Sequence, residues 1–186
     1  MEDKIIKAKE VILNGGVILY PTDTIWGIGC SAIIESAIKK IFRIKRRDNS
    51  KLLISLVSSR EMLERYVKNV PEYVLEYLYD ESPTTIIFPK VKGLNHILYG
   101  KNGSVGIRLV KDNFCKALID EINIPLISTS ANISGNPFPK KFKEIDKRII
   151  NQVDYVVNLN DSNLINSKPS RIIKVSLNGQ IEIIRE

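Results

Sequence analysis

Eight short runs rich in β-branched and apolar residues recur along the chain, and most are separated by stretches with helical periodicity. The runs cover residues 17–20, 52–57, 85–88, 105–109, 126–130, 155–157, 172–175 and 181–184. Between them, residues 3–14 carry Ile5, Ala8 and Ile12 on one stripe, and 35–45 place Ala37, Ile38, Ile41 and Phe42 on another. Residues 71–79 and 113–121 are helical in pattern, and a basic helix is expected after a polar loop at 132–139, running to Ile150. Ser58 with Glu61 three residues on has the form of a capping box opening a helix. Strands interleaved with helices define an α/β sheet. The last two runs meet at an Asn178-Gly179 turn, so the expected sheet is mixed, a twisted open sheet with flanking helices. In such sheets ligands bind where strands give way to loops.

Several chemistries are excluded early. One histidine, His96, and two cysteines 85 positions apart, Cys30 and Cys115, leave no zinc knuckle, no disulfide framework and no obvious Ser-His-Asp set. There is no GxxxxGK[ST] loop, and Gly27-Ile28-Gly29 lacks the third glycine of a dinucleotide fingerprint. No apolar run approaches the roughly 18 residues of a membrane span, and the first residues lack a signal-peptide pattern, so a cytoplasmic location is expected. At 186 residues, without repeats or a long linker, one domain over 1–186 is the expectation. An excess of 28 Lys and Arg over 21 Asp and Glu favours anionic partners without choosing among nucleotides, nucleic acids and small metabolites.

Four polar segments lie at the ends of apolar runs. Tyr20-Pro21-Thr22-Asp23-Thr24 sets two hydroxyls around a carboxylate, followed by Trp26 and Gly27, where a strand exits. It can present donors to a small ligand or serve only as a Pro-Thr-Asp turn. Residues 39–51 hold seven cations against the one acid Asp48. There Lys45 and Arg47 can converge on one anion while Arg46 faces elsewhere; a solvated helix face is the alternative. In Ser104-Val105-Gly106-Ile107-Arg108, alternation puts Arg108 on the face of Gly106 and Ser104. An arginine inside an apolar strand needs a partner, either a ligand anion or a buried carboxylate. Ser128-Thr129-Ser130-Ala131-Asn132 clusters neutral donors suited to phosphate oxygens. Cations and hydroxyls without an acid–base pair suit a reaction among anions, in which positioning and charge neutralisation carry the catalysis.

In this order the segments resemble the YrdC-like threonylcarbamoyl-AMP synthases, from about Gly15 to Arg185. The matching pieces are YPTDTIWGIG (Tyr20 to Gly29), Lys45 with Arg47, GSVGIR (Gly103 to Arg108), STSANISG (Ser128 to Gly135) and Pro169-Ser170. The resemblance implies an open sheet with a basic concave face. It also implies condensation of L-threonine, bicarbonate and ATP to threonylcarbamoyl-AMP and pyrophosphate, for N6-threonylcarbamoyladenosine at position 37 of tRNA. Carried over by position, Lys45 and Arg47 are the catalytic cations. Thr24, Arg108, Ser128 and Ser170 contact threonine, and Arg47, Lys51, Ser104, Ser130, Asn132 and Arg185 contact the nucleotide. Mg²⁺ is expected with ATP, held mainly by phosphate oxygens and water. Separate threonylcarbamoyl-transferase proteins are expected downstream. Departures from the family pattern stand at Asp48, Leu56, Val110 and Arg171, where proline, histidine, proline and threonine are usual. The competing reading is a non-catalytic paralogue that binds double-stranded RNA or tRNA through the same basic cleft; Lys140, Lys141 and Lys143 are compatible with it.

Overall fold

A computed structural model describes residues 1–48, 52–100, 103–158 and 168–186. Nine strands among these form one mixed sheet, flanked by helices, in the order β7-β1-β2-β6-β3-β5-β4-β8-β9. The strands are β1 (Ile18–Tyr20), β2 (Gly27–Ser31), β3 (Ile54–Val57), β4 (Thr84–Phe88), β5 (Val105–Leu109), β6 (Leu126–Ser130), β7 (Tyr155–Val156), β8 (Arg171–Val175) and β9 (Ile181–Arg185). The pairs β1/β7, β3/β5 and β4/β8 are parallel and the remaining pairs antiparallel, as the α/β pattern with a closing hairpin led one to expect. The helices are α1 (Glu2–Leu13), α2 (Glu35–Lys45), α3 (Arg60–Tyr66), α4 (Glu72–Tyr79), α5 (Asn113–Ile122) and α6 (Lys147–Ile150). None of them is long and apolar enough to cross a membrane.

Each helix buries the stripe its sequence provides. On α2, Ala37, Ile38 and Ile41 pack over Leu19, Ile28, Cys30 and Ile127, which alternation places on one face of β1, β2 and β6. Its last turn is basic, matching the helix dipole, and it ends at Arg46 in a left-handed conformation (φ 49°). A second cluster joins Met62, Leu63, Val74 and Leu78 of α3 and α4 to Ile86, Val105 and Ile107, and Ala8 and Ile12 of α1 to Leu118 and Ile122 of α5.

Three local expectations are corrected. The cap of α3 is Ser59, not Ser58: its hydroxyl accepts from the Met62 amide at 3.1 Å, which puts Glu61 one position too early for the box. Ser59→Ala is therefore expected to cost about 1 kcal/mol, read by urea denaturation, whereas Ser58→Ala leaves the α3 cap intact. The basic stretch before Ile150 is not one helix but a 3-10 turn at Phe142–Glu144 followed by the single turn of α6. Asp146 interrupts it by capping α6, accepting from the Arg148 amide at 2.8 Å. Finally, residues 27–31, where no strand was expected, form a fully buried strand between β1 and β6.

Candidate functional site

Strand pairing assembles the site. Opposed residues share a face, so Leu56, Arg108, Thr85, Ile172 and Arg185 form one row across β3, β5, β4, β8 and β9. Ser128, Ile54, Gly106 and Ile87 form the next row, and Gly27 with Ser130 begins a third. These rows floor a cleft of about 280 Å³, walled by Thr22, Thr24, Arg47, Phe138 and Ser170. Seven of the expected site residues meet there: Thr24, Arg47, Arg108, Ser128, Ser130, Ser170 and Arg185.

At one end the connection from β1 to β2 is a hydroxyl-braced turn. Thr22 Oγ1 donates to the Ile25 carbonyl at 2.8 Å and accepts from the amides of Thr24 and Ile25 at 3.1 and 3.2 Å. The turn delivers Thr24 to Arg108, whose Nη1 donates to Thr24 Oγ1 at 3.2 Å. It also delivers Asp23, whose Oδ1 lies 3.0 Å from Arg108 Nη2, the two side chains being 10% and 5% exposed. Of the two partners anticipated for Arg108, the fold thus supplies a buried carboxylate while leaving the guanidinium on the cleft wall. Nearby, Thr85 and Ser170 share a hydrogen bond of 2.8 Å, and Arg185 donates to the Ser170 carbonyl from Nε at 3.1 Å and Nη2 at 2.6 Å. Burial, with Arg108 close by, lowers the Arg185 pKa.

At the other end, Lys45 and Arg47 diverge on either side of the left-handed Arg46. Lys45 is fully buried and lies behind the wall. Its Nζ donates to the carbonyl of Ser130, to the Asn132 carbonyl at 2.8 Å and to Asn132 Oδ1 at 3.1 Å. Burial, and then the charge of Arg47, bring its pKa down to about 7. Asn132 Oδ1 also accepts from Ser130 Oγ at 2.5 Å, so Lys45 and Asn132 together fix the Ser130 hydroxyl. Arg47 enters the cleft, donating from Nη2 to the Leu52 carbonyl at 2.9 Å. Its Nε is buried without a hydrogen-bond partner among the described residues.

Asn132 and Ser104 are not on the wall, and Lys51 lies outside the described residues. Leu56 is buried and lines the cleft beside Arg108, giving an apolar surface there. Arg171 is drawn away to Asp80 at 2.6 Å and over the Tyr77 ring. Thr22 belongs to the pair of hydroxyls read above as possible ligand donors, whereas sequence reasoning did not single out Thr85 as a site residue. Thr85 could have been found from alternation once β4 was known to pair with β5.

A mixed sheet whose cleft gathers hydroxyls and three arginines, Arg47, Arg108 and Arg185, defines an α/β protein built without a P-loop. More narrowly, the chain belongs to the Sua5/YciO/YrdC family: that family's pattern, described as telomere recombination, matches residues 10–186. A Methanocaldococcus jannaschii protein provisionally named a threonylcarbamoyl-AMP synthase is 36% identical over 181 residues, covering 96% of this chain and 83% of the relative. The threonylcarbamoyl-AMP synthase of Pyrococcus abyssi is 30% identical over 158 residues, 84% of this chain but only 46% of the relative. The solved structure of P. abyssi Sua5 complexed with L-threonine superposes with a TM-score of 0.81 at 27% identity, covering 94% of this chain and 52% of that one. The chain thus spans about half the length of the P. abyssi proteins.

Proposed function

We propose that the chain is an L-threonylcarbamoyladenylate synthase, a nucleotidyltransferase that supplies threonylcarbamoyl-AMP for N6-threonylcarbamoyladenosine at tRNA position 37. One observation carries this reading: a single cleft has the Arg108–Thr24 group at one end and Arg47 with a braced Ser130 at the other. The naming of the relatives and the threonine complex of P. abyssi Sua5 support it.

In this mechanism Arg108, Thr24, Ser128 and Ser170 hold threonine, its carboxylate on the guanidinium. The neutral amine attacks the bicarbonate carbon and water leaves, giving a carbamate. A carbamate oxygen then attacks the α-phosphorus of ATP and pyrophosphate departs. Arg47 lies against the bicarbonate and α-phosphate, offsetting the repulsion among three anions while fixing near-attack geometry. Ser104, Ser130, Asn132, Arg185 and Lys51 serve the nucleotide. Because its ammonium donates to three protein oxygens, Lys45 acts by positioning Ser130 and Asn132. Among the described residues the cleft is lined by hydroxyls and guanidinium groups and not by carboxylates; Mg²⁺ would enter with ATP, as part of the substrate.

The test is pyrophosphate release from Mg-ATP and bicarbonate with and without L-threonine. Release that depends on threonine and is lost in Arg47→Ala is expected. ATP binding without threonine-dependent release overturns the reading. Salt-sensitive binding of tRNA or double-stranded RNA by the same inactive protein supports the paralogue instead.

A further inference from the structure

The ion pair under the threonine end of the cleft has a carboxylate that no role above uses. Asp23 sits between two residues that line the cleft, Thr22 and Thr24, yet among the described residues it does not line the cleft itself. Both its oxygens are buried and make no aligned hydrogen bond with any described residue. Its close charged neighbour is Arg108, at 3.0 Å. The other carboxylate in electrostatic reach of both, Asp112, is spent on capping α5, its Oδ1 accepting from the Cys115 amide at 2.7 Å, and burial pushes its carboxyl above the usual carboxylate range. Asp23 therefore faces Arg108 from behind, on the side away from a ligand.

We propose that Asp23 is the positioning residue for Arg108, holding the guanidinium in the orientation that receives the substrate carboxylate. This rests on the reading above that Arg108 takes that carboxylate. A guanidinium has five N–H donors; one on Nη1 goes to Thr24 Oγ1, while the Asp23 carboxylate holds Nη2 by charge at 3.0 Å without an aligned hydrogen bond. Nε is buried without a partner among the described residues, and the remaining terminal N–H groups stay available while the fork is held at two points. Without the Asp23 charge, a buried arginine is left uncompensated and turns toward water or other acceptors. Threonine then has to order the fork on binding, and that cost appears in its affinity. Of the residues assigned to the nucleotide, Arg47, Ser130 and Asn132 are held by Leu52 and Lys45 rather than by Asp23, and Arg185, in the Arg108 row, is held by the Ser170 carbonyl.

The experiment compares Asp23→Asn, Arg108→Ala and the double variant in the full chain. It measures KM for threonine, KM for ATP and kcat by pyrophosphate release, and threonine affinity by calorimetry. Asp23→Asn is expected to raise the threonine KM about ten-fold, the scale of one charge-assisted contact. The ATP KM and the kcat at saturating threonine are expected to stay within about two-fold. In Arg108→Ala, adding Asp23→Asn should change threonine affinity no further. Should Asp23→Asn not fold, Asp23→Ser is read in the same way. Equal or tighter threonine binding in the Asp23 variant overturns the proposal, as does an equal loss for ATP and threonine. If Arg108→Ala itself leaves threonine affinity unchanged, the assignment of Arg108 to threonine fails first, and the role of Asp23 fails with it.

Discussion

Lys45→Met is expected to lower threonine-dependent pyrophosphate release at least about 100-fold, the scale of a displaced reacting group, while the protein stays folded. Methionine keeps the apolar stem that α2 buries, so the packing against Ile41 and its neighbours survives. What is lost is the ammonium that ties the end of α2 to the Ser130–Asn132 segment. The Ser130 carbonyl still accepts from the Asn132 amide at 2.9 Å, and Asn132 Oδ1 still accepts from Ser130 Oγ. The local cost is thus essentially one orphaned acceptor, the Asn132 carbonyl, or about 1–2 kcal/mol. The nucleotide wall, in contrast, loses the group that fixed it.

The same variant should change how stability depends on pH. The Lys45 pKa is about 7 in the fold against 10.5 ordinarily, so between those values the folded chain holds fewer protons than the unfolded one. Stability contributed by this group therefore rises with pH across that window, and below about pH 7 the full penalty of a buried charge is present. The upper limit of the slope is about 1.4 kcal/mol per pH unit. The slope approaches that limit only in the middle of the window and falls away toward either pKa. Urea titrations at pH 7 and 9 should show wild type gaining on Lys45→Met; a constant difference would mean that Lys45 keeps its charge throughout.

The sequence disclosed most of the strands and helices because burial and periodicity coincide there: α2 read correctly from its helical stripe and β5 from alternation. It also separated Lys45 and Arg47 from Arg46, since a helix end must turn one residue outward. Where it failed, tertiary context overrode local composition. Gly27–Ser31 has few strand-forming side chains, and nothing in its own residues says that β1 and β6 close on it from either side. The Asp23–Arg108 pair joins residues 85 positions apart in the chain, so only the registers that link β5 through β3 and β6 to β2, with the Thr22 turn, bring it together. The caps at Ser59 and Asp146 turned on a single residue, the scale at which local signals are weakest.

Gly29→Ala is expected to unfold or severely weaken the protein, while the same change at Gly106 leaves the fold intact and damages the cleft. A Cβ at position 29 would lie 2.5 Å from the Ile127 carbonyl oxygen and 2.9 Å from Tyr20 Cε1. The first is backbone of the paired strand β6 and the second is a fully buried ring, so neither can move without parting β1, β2 and β6. A cost of about 3 kcal/mol or more is expected, a large share of the roughly 5–15 kcal/mol that holds a domain. At position 106 the nearest atom to an added Cβ is Thr85 Cγ2 at 3.4 Å, ordinary contact, and no positive φ is involved. Alanine there should leave stability within about 0.5 kcal/mol, but its methyl rises from the cleft floor beside Arg108. Threonine KM is then expected to increase roughly ten-fold, the loss from crowding a fitted pocket. Denaturation midpoints and threonine KM measured on the two variants separate these effects. If Gly106→Ala binds threonine normally, substrate does not rest on the floor of β5, and the cleft must be used from its rim at Arg47 and Phe138 instead.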